Sequence, residues 1–423
     1  MPFGREPKGA AAAYTWQLRP QERAHSQCLL GDVGGTNIRL TVVPASRLTS
    51  RNPLPPATYH ERYRTGDFAH LRDALAKFLR EKPADVGPIV TCALSVCGPV
   101  DDDGRAICLA ESMGPDGWSL EPPDLAAALG IHGDGRMRLL NDFIAVGLAV
   151  GGVDWRDAPH DLVTVHAGVP RRNGTIAVLG PGTGLGSCFG VWPRPPTSCD
   201  ASRSEVQIFP SEGGESDFVA RSHDEWALRE YLVRTLDATH IKVEHVVSGL
   251  GLSRIYHFLR ERERVVCDES RRKRKAANHP DEAAAAVEAE VLAASDPSAV
   301  VAQYATPGEK GADAHCVAAL DMFIDALGAE AANLALRFQA HGGVYIAGGV
   351  AAKLAPRLTC GALATDGSMA SGRLQAAYLG KGRSTQAYCA CPLYVCTVDG
   401  DCLVLEGLWQ FAQSHKCSFR HVQ

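Results

Sequence analysis

The sequence predicts an α/β protein built as two domains, and three observations carry that expectation. An apolar run enters a glycine-rich turn three times, at residues 31–37, 180–186 and 348–349. Between and after these turns lie segments with apolar residues at helical spacing, the mark of helices laid on a core. The chain has 423 residues, enough for two domains with sizeable cores. Residues 1–26 read as an N-terminal extension, 27–138 as a small α/β domain, 139–400 as a larger one, and 401–423 as a segment holding a last helix.

The first element begins with Cys28-Leu29-Leu30, turns through Gly31-Asp32-Val33-Gly34-Gly35-Thr36-Asn37, and leaves as the alternating run Ile38-Arg39-Leu40-Thr41-Val42-Val43. That is a strand, a tight turn and a second strand. Gly34 and Gly35 have no Cβ, so the backbone there can take positive φ and approach a ligand closely. Successive N–H groups around such a turn form a concavity that suits an anion. Asp32 sets a carboxylate beside it, where it can orient a magnesium ion through its waters. Alone, this stretch fits a plain glycine hairpin equally well. No lysine follows the glycines, so it is not the G-x-x-x-x-G-K-[ST] loop, nor is it the dinucleotide G-x-G-x-x-G between strand and helix.

An amphipathic helix is expected at Phe68–Leu79, then a buried strand over residues 88–98, then a loop leading to Trp118. Leu139-Leu140-Asn141-Asp142-Phe143 reads as a short strand ending in two polar residues before an apolar helix. Asn and Asp at that point are helix caps by local pattern. The second glycine element, residues 175–191, is again strand, turn, strand, with Gly182, Thr183 and Gly184 in the turn. Its repetition of residues 31–40 suggests two related halves. Pro210–Phe218 is a glycine loop carrying Glu212, Glu215 and Asp217, which locally reads as a solvated acidic turn. Glu244 reads locally as a surface acid. Residues 276–305 are alanine-rich and acidic, with Asp281-Glu282 opening a helix. A long buried helix is expected over Cys316–Phe338. Val344–Ala347 is a strand, Gly348-Gly349 a turn, and Val350 the start of a helix, with a final helix at Val404–Gln413.

Composition bounds the function. Hydrophobic residues make 45% and charged residues 22%, values of an ordinary soluble globular protein. The net charge of −5 gives no general basic footprint for nucleic acid. The one basic run, Arg271–Lys275, is interleaved upstream with Glu261, Glu263, Asp268 and Glu269 and reads as a solvated face or insertion. Fourteen cysteines are scattered, mostly singly in apolar runs, which fits reduced thiols in a cytosolic-type compartment. Cys389, Cys391 and Cys396 lie in a strand-like stretch that sends Cys389 and Cys391 to one face, with no nearby histidine to complete a zinc set. No apolar stretch reaches transmembrane length, so no membrane partner is expected. Residues 1–26 lack the apolar core of a secretory signal, while an organellar address stays open. The end, His421-Val422-Gln423, is not of the peroxisomal S-K-L type.

Taken together, "GDVGGTNIRL" at 31–40, "LLNDFIAVGLA" at 139–149, "GPGTGLG" at 180–186, "SEGGESDF" at 211–218, "VEHVVSGLGL" at 243–252 and "GGVYIAGGV" at 342–350 resemble the bacterial-type glucokinase family. That family belongs to the superfamily of sugar kinases, actin and heat-shock chaperone ATPases. The motifs stand in the family's order and cover roughly residues 27–410. The resemblance implies a two-lobed actin-like (ribonuclease H-like) ATPase fold with a cleft between a small and a large α/β domain. It implies a final helix that returns to the small domain. The implied activity is transfer of the γ-phosphoryl group of MgATP to the 6-hydroxyl of glucose, in the cytoplasm, with a possible homodimer. Asp32, Gly34, Gly35, Thr36 and Asn37 match the first phosphate loop, with Asp32 acting on Mg²⁺ through water. Gly182, Thr183 and Gly184 match the second phosphate loop, and Gly348, Gly349 and Val350 the segment near the adenosine. Asn141 matches a sugar ligand and Asp142 the general base. Glu212 and Glu244 match sugar-binding glutamates. Glu215 stands where the family has a sugar-binding histidine. An ionised glutamate only accepts hydrogen bonds, whereas histidine does both, and two close carboxylates should raise the pKa of one. The Trp118 loop is longer than the family's and lacks its Thr-Asn pair. A kinase for another hexose or an amino sugar, or a non-catalytic ATP- and sugar-binding scaffold, are the alternatives.

Overall fold

Among the described residues strands alternate with helices, and the pairing of the strands places the glycine turns. The computed structural model describes residues 25–49, 53–133, 135–152, 161–193, 206–274, 282–306, 312–359 and 372–413. Residues 1–24 of the extension, Lys275, Asp281 and the terminal tripeptide 421–423 lie outside the described residues, as do the side chains of the rest of the basic run. The chain divides into two compact units, Met1–Gly152 with Asp401–Gln423, and Val153–Gly400.

The first unit carries strands β1 (Gln27–Val33), β2 (Asn37–Pro44), β3 (Tyr59–Arg64), β4 (Ile89–Val96), β5 (Ala106–Cys108), β6 (Trp118–Leu120) and β7 (Met137–Asn141). Its main sheet has the order β3-β2-β1-β4-β7. β1, β2 and β3 form an antiparallel meander, while β4 and β7 run parallel to β1. β1 and β4 are buried nearly end to end, as continuous apolar runs in a covered sheet should be. The helix Leu71–Glu81 covers one face with Leu71, Ala74, Leu75 and Phe78. It starts later than its apolar spacing suggests. Phe68 is extended at φ −127° and its ring meets Tyr63 edge-on at 5.6 Å, while Asp73 accepts from the His70 N–H at the true helix start. Burying each of Leu71, Leu75 and Phe78 contributes about 1.5–3 kcal/mol.

Sequence reading divides the domains near residue 138, whereas contacts group β7 and the helix Asp142–Gly152 with the first unit. The cause is pairing: Leu139 and Leu140 sit opposite Leu94 and Ser95 of β4. The C-terminal helix Gly400–Gln413 supplies Leu408, Trp409 and Phe411 to the buried set, and its Glu406 accepts from the Leu54 N–H.

The second unit carries β8 (Leu162–His166), β9 (Ile176–Pro181), β10 (Leu185–Val191), β11 (Gln207–Ser211), β12 (Gly343–Ile346) and β13 (Leu393–Cys396). Their order is β11-β10-β9-β12-β13-β8. Here too an antiparallel meander, β9-β10-β11, is extended by two strands parallel to its first, with β8 added antiparallel at the edge. The two sheets thus repeat one arrangement, each headed by a glycine hairpin. The helix Ala314–Phe338 is the spine of this core, burying Leu320, Phe323, Ile324 and Leu327 among others. Asp313 caps it by accepting from the Cys316 N–H at 2.9 Å, which starts it two residues before Cys316.

Cys389 and Cys391 do not share a strand face. They lie in a turn ahead of β13, Cys389 exposed and Cys391 buried, because pairing with β12 begins only at Leu393. His341 does lie near, its Nδ1 3.8 Å from the Cys391 Sγ, yet among the described residues no group of three metal-ligating side chains forms. Among the described residues no helix is long and apolar enough to cross a membrane.

Candidate active site

The candidate residues fall into two clusters, one in each unit. In the first unit, strand register builds the cluster. Val33 pairs with Val96, and Val96 with Asn141. The carboxyl ends of β1, β4 and β7 therefore stop level, which is where open α/β sheets place ligands. Asp32 precedes the glycine turn at that edge, and Asp142 follows Asn141. Cys97, the residue after β4, feels the charges of both Asp142 and Asp32.

Asp32 is held from two sides. Its Oδ1 accepts from Ser95 Oγ at 2.8 Å and its Oδ2 from Arg39 Nη1 at 2.8 Å. Arg39 stands opposite Asp32 in the hairpin register, and its Nε also lies 2.7 Å from Asp401 Oδ2. Burial pushes the Asp32 carboxyl above its ordinary value; Ser95 and Arg39 oppose that push and Asp401 adds to it. A carboxylate offers about four acceptor sites and two are taken, so Asp32 retains capacity for a water.

The turn itself is tight. Gly34 N–H donates to the Asn37 carbonyl, Thr65 Oγ1 to the Gly34 carbonyl at 2.8 Å, and Thr65 N–H to the Thr36 carbonyl at 3.1 Å. Asn37 Oδ1 accepts from Arg62 Nε. Gly34 and Gly35 are free to take positive φ, and neither does. Gly35 is needed for room: a Cβ there would meet the Ala110 Cβ at 2.9 Å. The segment before Trp118 reaches the same turn, where Ser112 Oγ donates to the Gly35 carbonyl.

Asn141 does cap the helix Asp142–Gly152, its Oδ1 accepting from the Phe143 N–H at 2.9 Å. Its Nδ2 donates to the Gly98 carbonyl at 3.3 Å, which fixes the amide plane. Asp142 Oδ1 also accepts from Phe143 N–H at 2.9 Å. Capping and ligand binding are compatible, since an Asn amide has a second N–H and a second lone pair.

In the second unit, three loops are tied together. The turn between β9 and β10 closes by Gly182 N–H to the Gly184 carbonyl, and the Gly182 carbonyl accepts from Gly249 N–H at 2.8 Å. Thr183 is exposed at its tip. Glu244 Oε2 accepts from Leu185 N–H at 3.4 Å, and a Cβ on Gly184 would sit 2.6 Å from that same oxygen. Gly214 packs on Leu185, where a Cβ would lie 2.2 Å from the carbonyl oxygen. The second glycine turn, the acidic loop and the Glu244 segment thus meet at Leu185.

Glu212 and Glu215 lie exposed at the start and end of a short 3₁₀ turn, with Glu215 N–H donating to the Glu212 carbonyl. Lys242 Nζ lies 2.7 Å from both oxygens of Glu215 and 3.5 Å from Glu244 Oε1. Carboxylate crowding alone predicts a raised pKa here. Instead Glu215 is held below its ordinary value, chiefly by the Lys242 hydrogen bond, and Lys242 is raised by the same bond. The expectation failed because it left out the ammonium between the acids.

The third glycine element lies beside the second. Ala347 N–H donates to the Leu179 carbonyl, and Gly348, at φ +100°, runs past Pro181. Here glycine's left-handed freedom is used. Gly349 opens the helix Gly349–Thr359, with Val350 in its first turn packed on the core. A Cβ at Gly182 or Gly349 meets nothing within 4 Å. Open glycine backbone and unpaired N–H groups at a helix start suit a phosphate chain.

Sequence reasoning missed Arg39, Ser95 and Lys242. The hairpin register could have found Arg39, since it mirrors Asp32 across the turn. Lys242 carried only a weak signal, a lone cation two residues before Glu244.

The family model described as Glucokinase matches residues 29–404. The glucokinase of Nostoc sp. (strain PCC 7120) is 35% identical over 328 residues, covering 78% of this chain and 85% of that protein. The glucokinase of Synechocystis sp. (strain PCC 6803) is 33% identical over 352 residues, covering 82% and 90%. Among solved structures, glucokinase from Balamuthia mandrillaris in complex with glucose aligns with a TM-score of 0.67 at 20% identity, over 93% of this chain and 97% of that one. A glucokinase from an Antarctic psychrotroph aligns with a TM-score of 0.59 at 24% identity, over 90% and 98%. These structures share the two-lobed actin-like ATPase fold with this chain.

Proposed function

The chain belongs to the glucokinase family, and from that premise we propose that it moves the γ-phosphoryl group of ATP to the 6-hydroxyl of glucose, with Asp142 as general base. A sugar hydroxyl is a poor nucleophile, and its proton must leave as the bond to phosphorus forms. A carboxylate within hydrogen-bond reach accepts that proton and aims the oxygen for in-line attack. Asn141 and Glu212, Glu215 and Glu244 hold the other hydroxyls, and positioning supplies much of the rate. The observation that carries this reading is the register Val33–Val96–Asn141, which puts Asp142 at the same sheet edge as the first glycine turn.

Backbone N–H groups at Gly34–Asn37, Gly182–Gly184 and the Gly349 helix start are assigned to the phosphates, and Val350 to the adenosine side. Magnesium fits Asp32, whose carboxylate keeps open acceptor sites beside the turn, through coordinated water rather than directly. When bound, the ion neutralises phosphate charge. Arg39 and Ser95 hold the Asp32 carboxylate in place for that role. The cytoplasm is the compartment proposed, in line with the free thiols of the cysteines whose side chains are described.

The test is ADP release over a panel of hexoses. Glucose-dependent release that outruns all other hexoses supports the assignment. ADP release independent of sugar, or none at all, overturns it in favour of a scaffold.

A further inference from the structure

The acids assigned to the sugar contain one group that the assignment does not use. Resting on the reading of Glu215 and Glu244 as sugar ligands, we propose that Lys242 is a specificity-determining residue that reserves this site for neutral hexoses against aminohexoses. Its ammonium forks onto both oxygens of Glu215 at 2.7 Å and lies 3.5 Å from Glu244 Oε1. Its place is set by the backbone. Lys242 forms an antiparallel bridge with Asp217, Val243 N–H donates to the Ser216 carbonyl, and Lys242 N–H donates to His245 Nδ1 at 3.3 Å. The segment carrying Glu244 is thereby laced to the loop carrying Glu215, with the lysine between the two acids.

Two consequences follow from the chemistry. Each Glu215 oxygen engages the ammonium but keeps a second lone pair, so it still accepts from a sugar hydroxyl. The ammonium donates and the carboxylate accepts, so the pair supplies both functions of the histidine that the resembling family carries at position 215. An aminohexose brings a second ammonium beside that of Lys242, which already offsets one of the two carboxylate charges, and like charges placed together are the usual device of rejection. Glu215 is held low and Lys242 high, so both are charged across the neutral range. Of the other basic groups, His240 and His245 face Glu215 and Arg254 faces Glu244, and none of the three forms an ion pair with these acids. Removing Lys242 therefore leaves two under-compensated carboxylates facing the substrate, a site that favours a protonated amine.

The experiment measures kcat/KM for glucose and for 2-amino-2-deoxyglucose with the full chain, at mildly acidic pH where the amine is protonated. Wild type is compared with Lys242→Met, Lys242→Gln, Lys242→Arg and Glu215→Gln. The aminohexose-to-glucose ratio should rise about tenfold or more in Lys242→Met and Lys242→Gln, and stay near wild type in Lys242→Arg. A lysine that only braced the loop would lower both values alike and leave the ratio unmoved. An unmoved ratio in both neutral variants, with glucose KM raised in Glu215→Gln, overturns the role of Lys242 alone. An unchanged glucose KM in Glu215→Gln overturns the sugar-site reading and this proposal with it.

Discussion

Gly407 of the C-terminal helix lies against Ala145 so closely that a Cβ on the glycine would stand 1.8 Å from the Ala145 carbonyl oxygen. Ala145 belongs to the helix that begins at Asp142. Backbone thus packs on backbone directly behind the proposed base, and nothing at that contact can give as a flexible side chain would. Gly407→Ala should lower stability by about 1–3 kcal/mol, the range of overpacked cores, and reduce kcat as the helix shifts. Denaturant midpoints and turnover on the same preparation check both; an unaffected midpoint would show that the two helices separate freely.

Asp142→Asn keeps the shape of the side chain and its bond to Phe143 N–H while removing the proton acceptor. The fold and ATP affinity should persist, and kcat should fall by at least about 10²-fold, the lower end of general-base contributions. Steady-state kinetics beside a nucleotide-binding titration decide it, and undiminished turnover removes Asp142 from the role.

Arg39→Ala leaves the Asp32 carboxylate with Ser95 as its remaining hydrogen-bond donor in a largely buried position. The pair is not fully enclosed, so the loss should be about 1–3 kcal/mol, below that of a fully buried pair. Asp32 is already raised by burial, and losing the guanidinium raises it further. An acid with a raised folded pKa favours folding as it protonates, so the deficit of the variant should shrink as pH falls through the raised folded pKa of Asp32. Chemical denaturation of both proteins at neutral and acidic pH measures this.

His245, His257 and His341 are each held below their ordinary value of 6.5, in every case chiefly by burial. Folded, they resist protonation; unfolded, they take a proton at about 6.5. Their contribution to stability is therefore intact above that value and is lost as pH falls below it. All three lie in the second unit, so its unfolding midpoint should drop between about pH 7 and about pH 5.5. A midpoint constant over that window would mean the three rings are open to solvent.

Local signals carried most of what could be read in advance. Each glycine turn was legible because it lies beside its strand in the chain, with a second strand following twice and a helix once, and so was the long helix, whose start moved only by the reach of the Asp313 cap. Contacts between distant segments were not legible. Gly35 owes its identity to Ala110, Gly214 to Leu185 and Gly407 to Ala145, and none of these pairs is adjacent in sequence. The same holds for the ionisation of Glu215. Local sequence showed only neighbouring acids, while the ammonium that reverses the expected shift arrives from a segment 27 residues away.

Glu244 touches the Leu185 amide of the second glycine turn with one oxygen and approaches Lys242 with the other. One carboxylate thus abuts both the proposed triphosphate cradle and the proposed hexose cradle. Whatever displacement one ligand imposes on it is transmitted to the other as a change in affinity, and thermodynamic reciprocity makes the factor equal in both directions. Sugar and nucleotide should therefore bind with a measurable coupling, and Glu244→Gln should diminish it.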